Sequence, residues 1–271
     1  MHRRLFISSS ALLLGSSIRI ATAERAKNSG ATAARMSLGV AINKAGRQRM
    51  LSQRMVKAYA QLGLGVLPER SMKIMEASRD LFESQLAELL EYSPSPEIKS
   101  LYGEMGSAWL PYRENLLTAP SPELGPAIYK NSEDVLKIAH RATLELERMS
   151  ATPAGRLVNI AGRQRMLSQR AAKLYMLREW KVPQAIESDL KAVREEFRQA
   201  LALLKAAPES TAEIKSQLSL AESQWLFFDR ALDSKTVSSH DDEISRRNVA
   251  TTSERLLEVF ESVTAMFEKD A

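Results

Sequence analysis

Among its 271 residues the chain has no cysteine and only three histidines. The first absence removes disulfides, thiolate metal sites, c-type haem attachment and a lipid-modified cysteine anchor. The second leaves His2, His140 and His240 isolated, with no Glu-x-x-His of the di-iron bundles and no His-Glu-x-x-His. There is no glycine-rich phosphate loop, and no serine nucleophile has a base nearby in sequence. The sequence therefore predicts no catalytic residues, no metal and no cofactor. Aromatic residues make up 6% of the chain; they fall on apolar helical stripes, where they read as core. Beyond the first residues no apolar run reaches the roughly 20 residues of a membrane span. Alternating strand patterns are missing too.

What the N-terminus does have is an export leader. Arg3-Arg4-Leu5-Phe6 precedes a short, serine-broken apolar run, then Arg19 and the small-residue site Ala21-Thr22-Ala23. Cleavage is expected before Glu24, with paired arginines and weak hydrophobicity favouring the twin-arginine route. A periplasmic location follows as an expectation. The leader holds three bases and no acid, so the remainder carries 35 bases against 33 acids. That near-neutral balance gives no reason to expect nucleic acid, which calls for a clustered basic face.

The rest reads as helix with a period near 3.6, and it contains one stretch twice. Ala45-Gly46-Arg47-Gln48-Arg49-Met50-Leu51-Ser52-Gln53-Arg54 returns without change as Ala161 to Arg170, 116 residues later. Glu97-Ile98-Lys99-Ser100 and Trp109 return at the same offset as Glu213 to Ser216 and Trp225. Breaks at Gly63-Leu64-Gly65, Ser93-Pro94-Ser95-Pro96 and Ala119-Pro120-Ser121-Pro122 cut the first half into four helices. The second half repeats that order. The expected fold is all-α: a leader over 1–23, an antiparallel four-helix bundle over 24–152 and a second over 153–271. A cyclic up-down order and the short linker 150–155 would set the two box helices side by side and parallel.

Identity confined to one segment points to positioned polar groups, since a core tolerates swaps of similar volume. On a helical wheel Arg49 lines up with Ile42, Val56 and Ala60, flanked by Ala45, Gly46, Ser52 and Gln53. Arg165 shares its face with Val158, Ala161, Gly162, Ser168 and Gln169. Arg47 and Arg54 fall on the opposite side and read as solvent-facing. A cation in an apolar stripe needs a negative partner. For Arg49 and Arg165 this is either a carboxylate of a neighbouring helix or an anionic ligand.

Ile42-Asn43-Lys44-Ala45-Gly46 with Arg49-Met50 and Arg54 resembles the box helix of nitrate/nitrite sensor kinases of the NarX type. The fuller Ala-Gly-Arg-Gln-Arg-Met-Leu-Ser-Gln-Arg is similar to the N-terminal domain of PilJ, a type IV pilus chemotaxis transducer. The nitrate sensors differ at the positions of Arg47, Leu51 and Gln53. The resemblance implies periplasmic four-helix sensory bundles. It also implies a small anion, nitrate or nitrite in the sensor kinases, held by the arginine that matches Arg49 here and Arg165 in the second copy. In those sensors two subunits share one anion; here one chain carries both arginines. The expectation is one anion per chain, held jointly by Arg49 and Arg165 across a pseudo-twofold axis. The rival is bundles stacked end to end with two separate sites.

The reading is thus a soluble periplasmic solute-binding sensory module and not an enzyme. Its expected ligand residues are Arg49 and Arg165, with Gly46, Gly162, Ser52, Ser168, Gln53 and Gln169 in support. Its expected partners are a small inorganic anion and a membrane sensor kinase, chemotaxis transducer or transporter. The alternative is an interaction module without ligand, in which the two arginines are structural. A carboxylate on Arg49 within its own bundle would favour that alternative.

Overall fold

The computed structural model describes residues 36–182, 186–233 and 239–271. The leader and its cleavage site lie outside these. Among the described residues there are eight α-helices and no strand. They are α1 (Leu38–Gly63), α2 (Pro68–Tyr92), α3 (Pro96–Leu117), α4 (Gly125–Ser150), α5 (Pro153–Glu179), α6 (Ile186–Ala206), α7 (Ala212–Asp233) and α8 (Ser239–Glu268). A single 3₁₀ turn, Pro122–Leu124, precedes α4.

The ends follow local chemistry. Ser37 caps α1 by accepting from the Val40 N–H, Ser95 caps α3 through Ile98, and Thr152 caps α5 through Gly155. In α3 and α5 proline fills the first helical position, where its missing N–H costs nothing. The linker between the halves is shorter than expected. Only Ala151, in the left-handed region at φ 51°, and Thr152 separate α4 from α5, so Gly155 is helical. Helix α3 runs on through Pro111 as one element, and His240 belongs to the first turn of α8.

In the first half α1 packs against α2 and α4, and α3 against α4; in the second α5 packs against α6 and α8, and α7 against α8. These are the two four-helix bundles. Each has an aromatic centre: Phe82, Trp109 and Tyr112 in the first, Phe197, Trp225, Phe228 and Phe260 in the second. The most extensive contact of all joins α1 to α5. The contact runs parallel, because Arg49 meets Asn159 near one end while Tyr59 packs edge-on against Trp180, 5.8 Å away, near the other. The expected side-by-side box helices are therefore observed.

This seam makes α1 and α5 the most buried helices, although neither is the most apolar. From Ala41 to Gln61 only Lys44, Arg47 and Arg54 are less than fully buried. Asn43, Gln48, Arg49, Ser52, Gln53, Lys57 and Gln61 are all inside. Buried polar groups without partners cost about 1–3 kcal/mol each, so the seam is stable only if it is a hydrogen-bond network.

Candidate functional site: a polar seam between the two box helices

The network is built from reciprocal pairs. Arg49 donates from Nη2 to the Asn159 side-chain oxygen at 2.7 Å and, in mirror fashion, Arg165 donates to that of Asn43 at 2.7 Å. Each also reaches the same asparagine's backbone carbonyl at 3.4 Å. The asparagine amides are held in turn by the last helix of each half: Asn159 donates to Glu147 of α4, and Asn43 to Glu268 of α8. The same register, 121 residues between α4 and α8, relates Ser132 to Ser253, Glu133 to Glu254 and His140 to Glu261. A pseudo-twofold axis along the seam thus relates the halves.

One layer further along, Gln53 donates to the Ser132 carbonyl at 3.2 Å and Gln169 to that of Ser253 at 2.9 Å. Beyond them lie two lysines with no solvent exposure. Lys57 binds Glu254, the Ser253 hydroxyl (3.1 Å) and the Gln169 side-chain oxygen (2.6 Å). Lys173 binds Glu133 at 2.6 Å and the Ser132 hydroxyl at 3.2 Å. Arg54 pairs with the same Glu254, and Arg170 with the same Glu133 at 2.7 Å. In every case a cation of one half meets a carboxylate of the other. Burial alone raises a carboxyl pKa, but at Glu254 the Lys57 and Arg54 charges outweigh it and hold the group down to about 2. Glu133 is lowered in the same way, with Lys173 and Arg170 overcoming burial. Burial brings Lys57 and Lys173 to about 8 despite their partners.

The wheel placed Arg47 and Arg54 in solvent, and the structure corrects this. Both are four-fifths buried and bridge to α8 of the other half, Arg47 to Glu261 and Arg54 to Glu254. The wheel assumes one buried face, whereas α1 is enclosed by α2, α4 and α5 and reaches α8 as well. The supporting residues divide as well. Ser52 and Ser168 turn back on their own helix, donating to the carbonyls of Arg49 (2.8 Å) and Arg165 (2.9 Å). Gln53 and Gln169 brace α4 and α8. The glycines do stand at the arginines. A Cβ on Gly46 would lie 3.0 Å from Arg49 Nη2, and one on Gly162 3.1 Å from Arg165 Nη2 and 3.8 Å from Arg49 Nη2. Lys57, Lys173, Asn43, Asn159 and their carboxylates were not singled out from sequence. Recurrence at offset 116 just outside the identical block marked Asn43 and Lys57.

The mirror breaks at the arginine layer. Arg165 donates from Nη1 to Glu261 at 2.6 Å, and Arg47 grips the same carboxylate through Nε and Nη2 at 3.2 and 2.7 Å. Arg49 has no such partner. Its Nη1 faces His140 Nδ1 at 3.3 Å, and its Nε reaches only the Gly46 carbonyl at 3.4 Å. Arg163, the mate of Arg47, faces the other ring nitrogen, Nε2, at 3.4 Å, while Glu196 pairs with it on the far side. Arg49 is wholly buried, and its pKa falls to about 9 through burial first and then repulsion from Arg163 and Arg165. Glu196 and Glu147 act on it only from a distance. His140 is lowered to about 4 by burial and by Arg49 and Arg163, so at neutral pH it is uncharged. Grooves of about 810 Å³, between α4, α5 and α6, and about 780 Å³, between α6 and α7, lie elsewhere; neither is lined by Arg49 or Arg165.

Fold and seam together define a class: a tandem helical module whose doubled arginine-rich helix joins its two halves. No cluster of three metal-ligating side chains occurs among the described residues, and no described helix is long and apolar enough to cross a membrane. The family of type IV pili methyl-accepting chemotaxis transducer N-terminal domains, PilJ, matches twice, over residues 31–134 and 149–252. The chain belongs to that family, whose members are sensory transducer domains. No curated protein and no solved structure matches the chain.

Proposed function

We propose that the protein is an exported, periplasmic sensory module that binds a small anion at Arg49 and presents the liganded state to a membrane chemotaxis transducer, sensor kinase or transporter. The observation that carries this reading is a fully buried guanidinium that meets three neutral carbonyl oxygens and an uncharged imidazole, with no carboxylate in contact. Holding an unpaired cation inside costs several kcal/mol, and an anion beside it would offset that cost. The leader motif supports export, and the family supports a sensory role. Nitrate and nitrite are the first anions to test, from the resemblance of the box.

Thermal unfolding of the full chain with and without nitrate, nitrite, formate and acetate tests the reading. A bound anion at a hundredfold excess over its Kd stabilises the native state by about 2.7 kcal/mol. Wild type should show such a rise and Arg49→Ala none, with the helical fold retained. A variant that loses fold stability but keeps the anion response would mark Arg49 as purely structural.

The ligand-free alternative has its own observation. Arg165, Arg47, Arg54, Lys57 and Lys173 are all committed to internal carboxylates. On that reading the whole box serves to join the halves, and the outer face of α7, where Leu226 and Phe227 are exposed, would carry the activity.

A further inference from the structure

The broken mirror names the chemistry of the ligand, an inference that rests on the anion-binding reading above. In the second half a carboxylate, Glu261, lies between two guanidiniums, Arg165 and Arg47. In the first half the equivalent guanidiniums, Arg49 and Arg163, are separated by the His140 ring. A neutral imidazole has one acceptor nitrogen, while its other nitrogen carries a hydrogen. Guanidiniums have only donors. Facing one on each side, the ring satisfies one arginine and sets an N–H against the N–H of the other. The arrangement is frustrated whichever tautomer forms. Glu261 has no such conflict, because a carboxylate accepts from both sides.

We infer that His140 holds the place of a ligand: a small anion with a planar, carboxylate-like pair of oxygens binds between Arg49 and Arg163 as the imidazole swings out, in the position that Glu261 fills permanently in the other half. The chain therefore holds one anion, on one side of the seam, and Arg165 is its occupied twin. Arg163 and His140 join Arg49 as ligand-site residues. Both sides of the comparison, His140 and Glu261, lie outside the two segments that match the family. The half-buried ring and the partly exposed Arg163 form the side of the site nearest solvent.

Three variants in the full chain test this, with formate and acetate as probes in thermal unfolding and titration calorimetry. His140→Glu copies Glu261. It should raise the ligand-free Tm by about 2 °C or more and weaken the probe's affinity at least tenfold. His140→Ala removes the competing ring without supplying charge, so the probe should bind more tightly than to wild type and raise Tm further. Glu261→His should create a second frustrated site and increase the stoichiometry from one anion per chain to two. Probe binding to His140→Glu at wild-type strength, or weaker binding in His140→Ala, would overturn the inference. If Arg49→Ala still abolishes binding in that case, the anion-binding reading survives alone. If neither probe nor nitrate nor nitrite shifts wild type, both fall together.

Discussion

At the scale of the residue, identical sequence does not give identical chemistry. Arg49 and Arg165 sit in identical ten-residue stretches, yet Arg49 contacts an imidazole and Arg165 a carboxylate, because the position that faces them is His140 in α4 and Glu261 in α8. The titration of that position has a definite sign. The folded pKa of His140, about 4, lies below its ordinary 6.5, so between these values the unfolded chain binds the extra proton. Stability falls as pH drops from 6.5 to 4. Glu254, held near 2 against 4.5, contributes stability above 4.5 that is lost as pH falls from 4.5 toward 2. The two effects add. We expect Tm to decline continuously below pH 6.5, and His140→Gln to flatten the upper part of that decline, between pH 6.5 and 4. A slope unchanged by His140→Gln would show that Arg49 and Arg163 do not hold the ring neutral.

At the scale of the element, α1 and α5 reverse the usual relation between burial and polarity. Their position at the centre is stabilised by pairs that cross from one half to the other, so single truncations should be costly. Glu254→Ala leaves Lys57 and Arg54 without a carboxylate and should destabilise by about 3–5 kcal/mol. Lys57→Met combined with Glu254→Gln should recover much of that loss, since replacing a buried pair is far milder than breaking it. Chemical denaturation of the single and double variants measures the difference. The C-terminal end of the seam depends instead on space. A Cβ on Gly63 would lie 2.1 Å from the Trp180 ring, and the indole is fixed against Tyr59. Gly63→Ala should therefore lower stability by about 1–3 kcal/mol, as overpacking does. A neutral result would mean that α1 and α5 can slide apart at that end without loss.

At the scale of the whole molecule, the halves are two bundles but not two independent ones. The carboxylates that neutralise Arg54 and Lys57 sit on α8, and those for Arg170 and Lys173 sit on α4. The full chain should unfold in one transition, with fluorescence of Trp109, Trp180 and Trp225 coinciding with loss of helix. Residues 36–150 alone would bury Lys57 without Glu254 and expose the α5-facing side of α1. We expect that fragment to be unstable as a monomer and to associate into a symmetric dimer, in which the second copy supplies Asn43, Gln53 and Glu133 where the chain now offers Asn159, Gln169 and Glu254. Sedimentation of the fragment checks this; a stable monomer would mean that the cross-seam pairs contribute little.

The sequence by itself determined the helices, the doubled bundle and the location of the polar box. Those features are local: a 3.6-residue period, serine, threonine and proline at helix starts, and a repeat that can be read by laying the chain on itself. It also determined that the box helices lie together, because a short linker after an up-down bundle leaves little choice. Only the tertiary structure decided what the polar residues face. Arg47 and Arg54 look outward on a wheel because a wheel knows one partner, whereas α1 packs on α2, α4 and α5 and its arginines also reach α8. Glu133, His140, Glu254 and Glu261 lie 23 to 214 residues from the cations they meet or fail to meet, at an offset of 121 that differs from the 116 of the box. Five residues separate the two offsets, so no alignment on the box alone sets His140 opposite Glu261. Packing does, because the register of α4 on α1 and of α8 on α5 is fixed by side-chain interlock and not by distance along the chain.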